Sequence, residues 1–267
     1  MKILSKLTPA ETLLITNTQY SSLKDLMKNT FMDLLLKKII AIKILYKKAH
    51  SRDRKERKYT YVIAGANFDK YKPKNHELAF LNLYKKSTNI KILFQHFVKM
   101  AYENARNSYR YKLKISESKD IKVIFKTNIF LKLTQEVKLN NAGVKLNNEI
   151  SEYLKSINEN IDYLLNNDKE KALELLLGIG GNIFLLENLD FKLLRKFDKE
   201  LLTHYKNKGS EYFDAGSDAW FYLEFFDDDS TYDSYFDTFE DTMDSFDSES
   251  DSVGCSSCDS GCSSCGG

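Results

Sequence analysis

All four cysteines of this 267-residue chain fall near its C-terminal end, spaced Cys255-x2-Cys258-x3-Cys262-x2-Cys265. Four soft thiolates so close together can close a tetrahedral zinc (Zn) or iron-sulfur (Fe-S) site, each CxxC pair chelating from one turn. Gly254, Gly261, Gly266 and Gly267 leave the backbone free to wrap around such a centre. The two pairs of a zinc ribbon stand roughly 15–20 residues apart. Only three residues separate them here, which suits a compact cluster or labile binding. The same sulfurs also support thiol-disulfide cycling. A third chemistry is modification: Cys and Ser that follow small residues can cyclise onto the preceding carbonyl, which would make the rest of the chain a large leader. The bland reading is a low-complexity end with incidental thiols.

The elements that would carry this tail are charged in a polar order. Every Lys and Arg lies at or before Lys208, so residues 1–208 carry +18 and residues 209–267 carry −16. A body this basic attracts polyanions, whether nucleic acid, an anionic membrane surface or an acidic protein segment, and the chain's own tail is one such segment. A core without cysteine beside clustered thiols fits a reducing, cytoplasmic setting. No signal-peptide h-region is expected at the N-terminus. The most apolar stretch, Ala172 to Leu186, is shorter than the ~20 residues of a spanning helix and contains Glu174 and Asn182, so no transmembrane segment is expected.

The organisation expected from periodicity is mainly α, of α+β type: two winged-helix-like modules with small β-hairpins, followed by an acidic, partly disordered tail. The first module covers residues 1–72, the second 73–208, the acidic aromatic segment 209–253 and the Gly/Ser/Cys tail 254–267. Thr8-Pro9-Ala10-Glu11 and Ser22-Leu23-Lys24-Asp25 both read as helix starts. The second helix carries Leu26, Phe31, Leu34, Leu35 and Leu36 on one face, and Ile39–Tyr46 with Tyr59–Ile63 reads as a hairpin. The hairpin tip presents Lys47, Lys48, Arg52, Arg54, Lys55, Arg57 and Lys58 against Asp53 and Glu56. Such a tip can lie along a phosphate backbone with little sequence choice, or it is simply a solvated loop.

In the second module, residues 75–86 and 90–106 read as helices and Ile121–Phe125 with Ile129–Leu133 as a second hairpin. Leu139-Asn140-Asn141-Ala142-Gly143 precedes a long helix with Ile150, Tyr153, Leu154, Ile157 and Ile161. Leu177-Gly178-Ile179-Gly180-Gly181-Asn182 lacks the Gly-Lys-Ser/Thr and strand-to-helix context of a phosphate loop. Its glycines suit a turn or close packing. Residues 191–205 are expected to form the last body helix.

Two helix-rich modules, the LNNAGVKLNNEI segment at residues 139–150, the apolar Gly-containing stretch and the Gly/Cys-rich C-terminus together resemble a group of uncharacterised bacterial proteins. The body of that group is distantly similar to the Golgi phosphoprotein lipid-binding family. The resemblance implies a helical body able to dock on anionic surfaces and carries over no catalytic residue. Members of the bacterial group often have a membrane anchor, which is not expected here.

Residues 211–252 hold fifteen acids, no base and twelve aromatics, including the single tryptophan, Trp220. Acidic tails usually lack apolar surface to bury; this one does not. Tyr232, Phe236, Phe239, Met243 and Phe246 recur at helical spacing and make one apolar stripe between acidic flanks. With Trp220 they are the candidate docking residues, in cis on the basic body or in trans on a protein partner. His50, His76, His96 and His204 are scattered, without H-E-x-x-H or a nucleophile elbow, so a binding protein is expected rather than an enzyme.

Overall fold

The computed structural model describes residues 3–48, 50, 52–187 and 232–250. The cysteine tail, Trp220 and the helix expected over residues 191–205 lie outside the described residues. Helix α1 (Pro9–Thr16) opens on the expected capping box: Glu11 N donates to Thr8 Oγ1 and Thr8 N donates to Glu11 Oε2. Helix α2 (Leu23–Leu36) opens the same way with Ser22 and Asp25. Each box satisfies amides that a helix N-terminus otherwise leaves unpaired. Beyond its first turn α2 is buried almost all round, through Leu26, Met27, Phe31, Met32, Leu34, Leu35 and Leu36.

Lys38, at φ 52°, turns the chain out of α2. Gly65 packs there so closely that a Cβ would strike the Lys38 carbonyl oxygen. Strands β1 (Ile40–Lys47) and β2 (Arg57–Ala64) pair antiparallel from Ile40↔Ala64 to Lys47↔Arg57, so the first hairpin forms as expected. The sheet has a third strand that the sequence pattern concealed inside a helical run. Strand β3 (Ile92–Leu93) pairs with the free side of β2, giving the order β1-β2-β3, before α4 (Phe94–Ala105) begins. Between them α3 (Leu78–Leu81) is a single turn, extended by a 3-10 turn over Asn82–Tyr84. The fold is thus mainly helical with one small antiparallel sheet.

The second hairpin is corrected. Lys122–Ile124 is a 3-10 turn and Ile129–Leu133 is the short helix α6, reached after α5 (Ser108–Ser116). Two local causes are visible. The Asn128 side chain accepts from Phe130 N at 3.1 Å and starts a helical turn, while Phe125 bridges to Leu139, not to the 129–133 segment.

Helix α7 (Asn141–Asn167) is capped by Asn140 and buries Ile150, Leu154, Ile157 and Ile161, the expected stripe. Helix α8 (Lys169–Ile179) stops at Gly180, whose φ of 55° suits glycine. Helix α9 (Tyr232–Ser250) lies in the acidic aromatic segment. The buried apolar residues form one cluster that crosses the 72/73 boundary drawn from sequence and takes in Tyr235, Phe239 and Met243 of α9. Among the described residues no helix is long and apolar enough to cross a membrane.

Candidate functional site

Helix α9 seats on a groove between α2 and α4. Its Phe239 is fully buried, stacked on Phe31 of α2 at 5.2 Å between ring centroids and tilted against Phe80 of α3 at 6.5 Å. Tyr235 stacks on Phe94 at 6.2 Å, and Phe246 meets Tyr102 at 6.1 Å with Lys99 Nζ 5.5 Å from its ring centre. Met243 is buried as well. On the rim, Lys24 Nζ donates to Asp244 at 2.8 Å and Lys28 pairs with Glu240. The Asp244 carboxylate raises the pKa of Lys24 by hydrogen bonding to the ammonium.

Magnitudes separate the roles of these contacts. Burying a phenylalanine contributes ~1.5–3 kcal/mol and a good aromatic pair ~0.5–1.5 more, whereas a surface ion pair gives ~0–1. Rings therefore hold α9 down, and lysines select for an acidic occupant. Phe239, Met243 and Phe246 of the expected stripe are brought together in this groove. Tyr232 and Phe236 lie in α9, with side chains outside the described residues. Sequence reasoning missed Tyr235 and Thr242, both buried, although 235, 239, 242 and 246 follow the helical period as well as the chosen set does.

The basic hairpin tip is exposed at Lys47, Lys48, Arg52, Arg54, Lys55, Arg57 and Lys58. Part of its charge is engaged locally: Arg57 stands 3.9 Å from Asp53, and Lys47 Nζ lies 5.5 Å from the Tyr61 ring centre. Cys255, Cys258, Cys262 and Cys265 lie outside the described residues. Among the described residues no group of three or more His, Cys, Asp or Glu is arranged to hold a metal ion. His50 and His96 are exposed helix or loop residues.

A second constellation went unrecognised in the sequence. Glu11, Asp33, His76 and Glu77 are all buried, contributed by α1, α2 and the segment before α3. Lys74 Nζ donates to Glu11 at 2.6 Å, Lys37 Nζ donates to Asp33 at 2.6 Å, and Glu77 accepts from Tyr71 OH at 2.8 Å and Lys74 N at 2.7 Å. His76 Nε2 is 3.5 Å from Thr8 Oγ1. Gly181 completes the wall, because a Cβ there would strike Asp33 Oδ1. Asp33 inside Phe31-Met32-Asp33-Leu34-Leu35-Leu36 was the legible signal: an acid within an unbroken apolar run has no solvent to face.

Burial governs the protons in this cluster. It pushes the Glu77 carboxyl up to about 7, raises Asp33 against the attraction of Lys37, and pushes His76 down to about 3. The Asp33 and Glu77 carboxylates in turn outweigh burial at Lys37 and raise it. Glu77, raised above its unfolded value of 4.5, adds stability that is complete below pH 4.5 and lost as pH climbs through 7. His76, depressed below 6.5, does the opposite: its contribution is present above pH 6.5 and lost towards pH 3. Glu77→Gln is therefore expected to tilt the stability profile between pH 4.5 and 7 upward relative to wild type, by about 1.4 kcal/mol per pH unit at most. Urea titrations at four pH values measure that difference; identical slopes in both proteins would show Glu77 to be solvated.

No family model matches the chain, and neither a curated protein nor a solved structure matches it, so its function rests on the two constellations above.

Proposed function

We propose that this is a non-enzymatic binding protein of a reducing, cytoplasmic setting. Its helical body holds an acidic aromatic helix in cis and thereby presents a four-cysteine tail for metal binding or chemical modification. The carrying observation is the seat of α9 between α2 and α4, with Phe239 enclosed and Lys24 paired to Asp244. Cys255 follows Ser250, the last residue of α9, by only five positions, so the held helix and the thiols are neighbours along the chain. Four thiolates at this spacing suit Zn or an Fe-S cluster, and Gly/Ser/Cys sequences suit ring-forming modification. The exposed hairpin tip favours a second reading, a nucleic-acid-binding regulator, whose mark is duplex DNA binding that weakens steeply with salt.

The deciding measurement is an intact-mass spectrum, native and denaturing, of full-length protein from its own host beside a variant with all four cysteines changed to serine. Added metal in the native spectrum, or lost water in the denaturing one, is expected in the wild type and absent from the variant. Identical metal-free, unmodified masses, allowing for the substitutions, would remove the tail from the function.

A further inference from the structure

Among the described residues, several large apolar side chains of the body stand exposed near one another in sequence. Val123 (71% exposed), Ile129 (74%), Phe130 (72%) and Leu133 (75%) project from the turn before α6 and from α6 itself. Tyr20 (82%) and Val144 (50%) are exposed as well. Local contacts tie together the segments that carry them. Lys126 N donates to Lys138 O and Asn140 Nδ2 donates to Val123 O, both at 2.8 Å, while Glu136 N donates back to Leu131 O at 2.9 Å. Tyr20, Val137, Leu139 and Val144 line one open groove with Lys126 and Lys138 on its edge. Lys122, Lys132 and Lys145 are exposed beside it. The rim is mainly basic, although Glu136 pairs with Lys138 at 2.6 Å and Glu149 stands 3.9 Å from Lys145, and an exposed apolar face of this kind is the usual mark of a docking site.

We infer that residues 211–229 of this same chain dock on the lysine-rimmed face formed by Val123, Ile129, Phe130, Leu133, Tyr20 and Val144. Three observations select this occupant. The segment carries seven acids and seven aromatics without a base, so it complements both the lysines and the apolar surface and has no cation of its own to satisfy it. The body already accepts one segment of that chemistry, since α9 is held by rings on rings and acids on lysines. The segment is also tethered at both ends, at Glu187 and at Tyr232, by a connection of 44 residues. A tether of that length keeps its contents at roughly millimolar local concentration, well above that of any free competitor.

Trp220 lies in the middle of the segment and is the only tryptophan in the chain, so the protein carries its own reporter. In the full-length protein Trp220 is expected to emit at short wavelength and resist acrylamide. Phe130→Asp with Leu133→Asp should move emission to the solvent value and raise the quenching constant several-fold. Zero-length carbodiimide coupling should join Lys126 or Lys132 to carboxylates between Asp214 and Asp229. Both substituted side chains are largely exposed, so the double variant keeps the wild-type far-ultraviolet spectrum of the body. Phe239→Ala acts on the other groove and frees only the Tyr232 tether, leaving the one at Glu187, so it should move Trp220 emission far less than the Phe130/Leu133 pair does, and this separates the inference from the seating of α9. A solvent-exposed Trp220 in the wild type overturns the inference, as does a protected Trp220 indifferent to the Phe130/Leu133 pair. So does flotation with phosphatidylglycerol vesicles that needs Phe130 and Leu133 and leaves Trp220 emission unchanged, which assigns the face to a lipid surface.

Discussion

Lys74→Met is expected to lower the unfolding free energy by about 3–5 kcal/mol, the usual cost of removing one partner from a buried ion pair. Glu11 is fully buried, and its Oε2 accepts from Lys74 Nζ at 2.6 Å; its other oxygen has no protein partner. Without the ammonium, a carboxylate shut away from water faces only the Thr8 amide. The contact of Lys74 with Asp120 at 3.3 Å matters less, because Asp120 is 45% exposed and solvent screens it. Glu11→Gln combined with Lys74→Met should recover more than half of the loss, since both charges are then gone. Denaturant unfolding of the two variants and their double measures the coupling. A loss for Lys74→Met below about 0.5 kcal/mol, typical of a surface lysine, would mean that water reaches the cluster.

Phe239→Ala should release α9 from the body. Removing a fully enclosed phenylalanine costs about 3–5 kcal/mol, the largest loss any one side chain of this helix can cause in the groove. Free of the groove, α9 has little reason to stay helical. Asp237 and Asp241, like Glu240 and Asp244, are acids four residues apart on one helix, and such pairs repel by a few tenths of a kcal/mol each. The last turn contains no base to answer the helix dipole. An isolated helix of this length is marginal even with a favourable sequence. Detachment and melting are therefore one event, visible as lost helical ellipticity and new protease cleavage within residues 232–250, with a lower unfolding midpoint for the body, whose Phe31, Phe80 and Phe94 lose the rings that cover them. Lys24→Ala should weaken the seat only slightly and only at low salt, as an exposed pair does. Equal effects from Phe239→Ala and Lys24→Ala would mean that charge, not ring packing, holds α9.

Much of the secondary structure was legible because its causes are local. Thr8 with Glu11, Ser22 with Asp25 and Asn140 ahead of α7 announce helices by side chains that meet their own backbone within a turn. The alternation from Ile40 and from Arg57 announces two strands. Strand β3 was illegible because two residues carry no period of their own, and only the open edge of β2 makes them a strand. The Ile129–Leu133 run could be read as strand or helix, and the Asn128 cap decided it.

For function, the sequence by itself determined which chemistries are at hand: four thiols together, a basic body, and an acidic stretch with rings at helical spacing. Tertiary structure alone decided that Phe239 meets Phe31 and Phe80, and that Glu11, Asp33 and Glu77 share one interior with Lys37 and Lys74. Apart from the local pairs Asp33 with Lys37 and Lys74 with Glu77, those partners lie tens to hundreds of residues apart along the chain. Periodicity reports which face of an element is apolar, but which distant face covers it, and which charges are stranded beneath, follows only from how the elements pack.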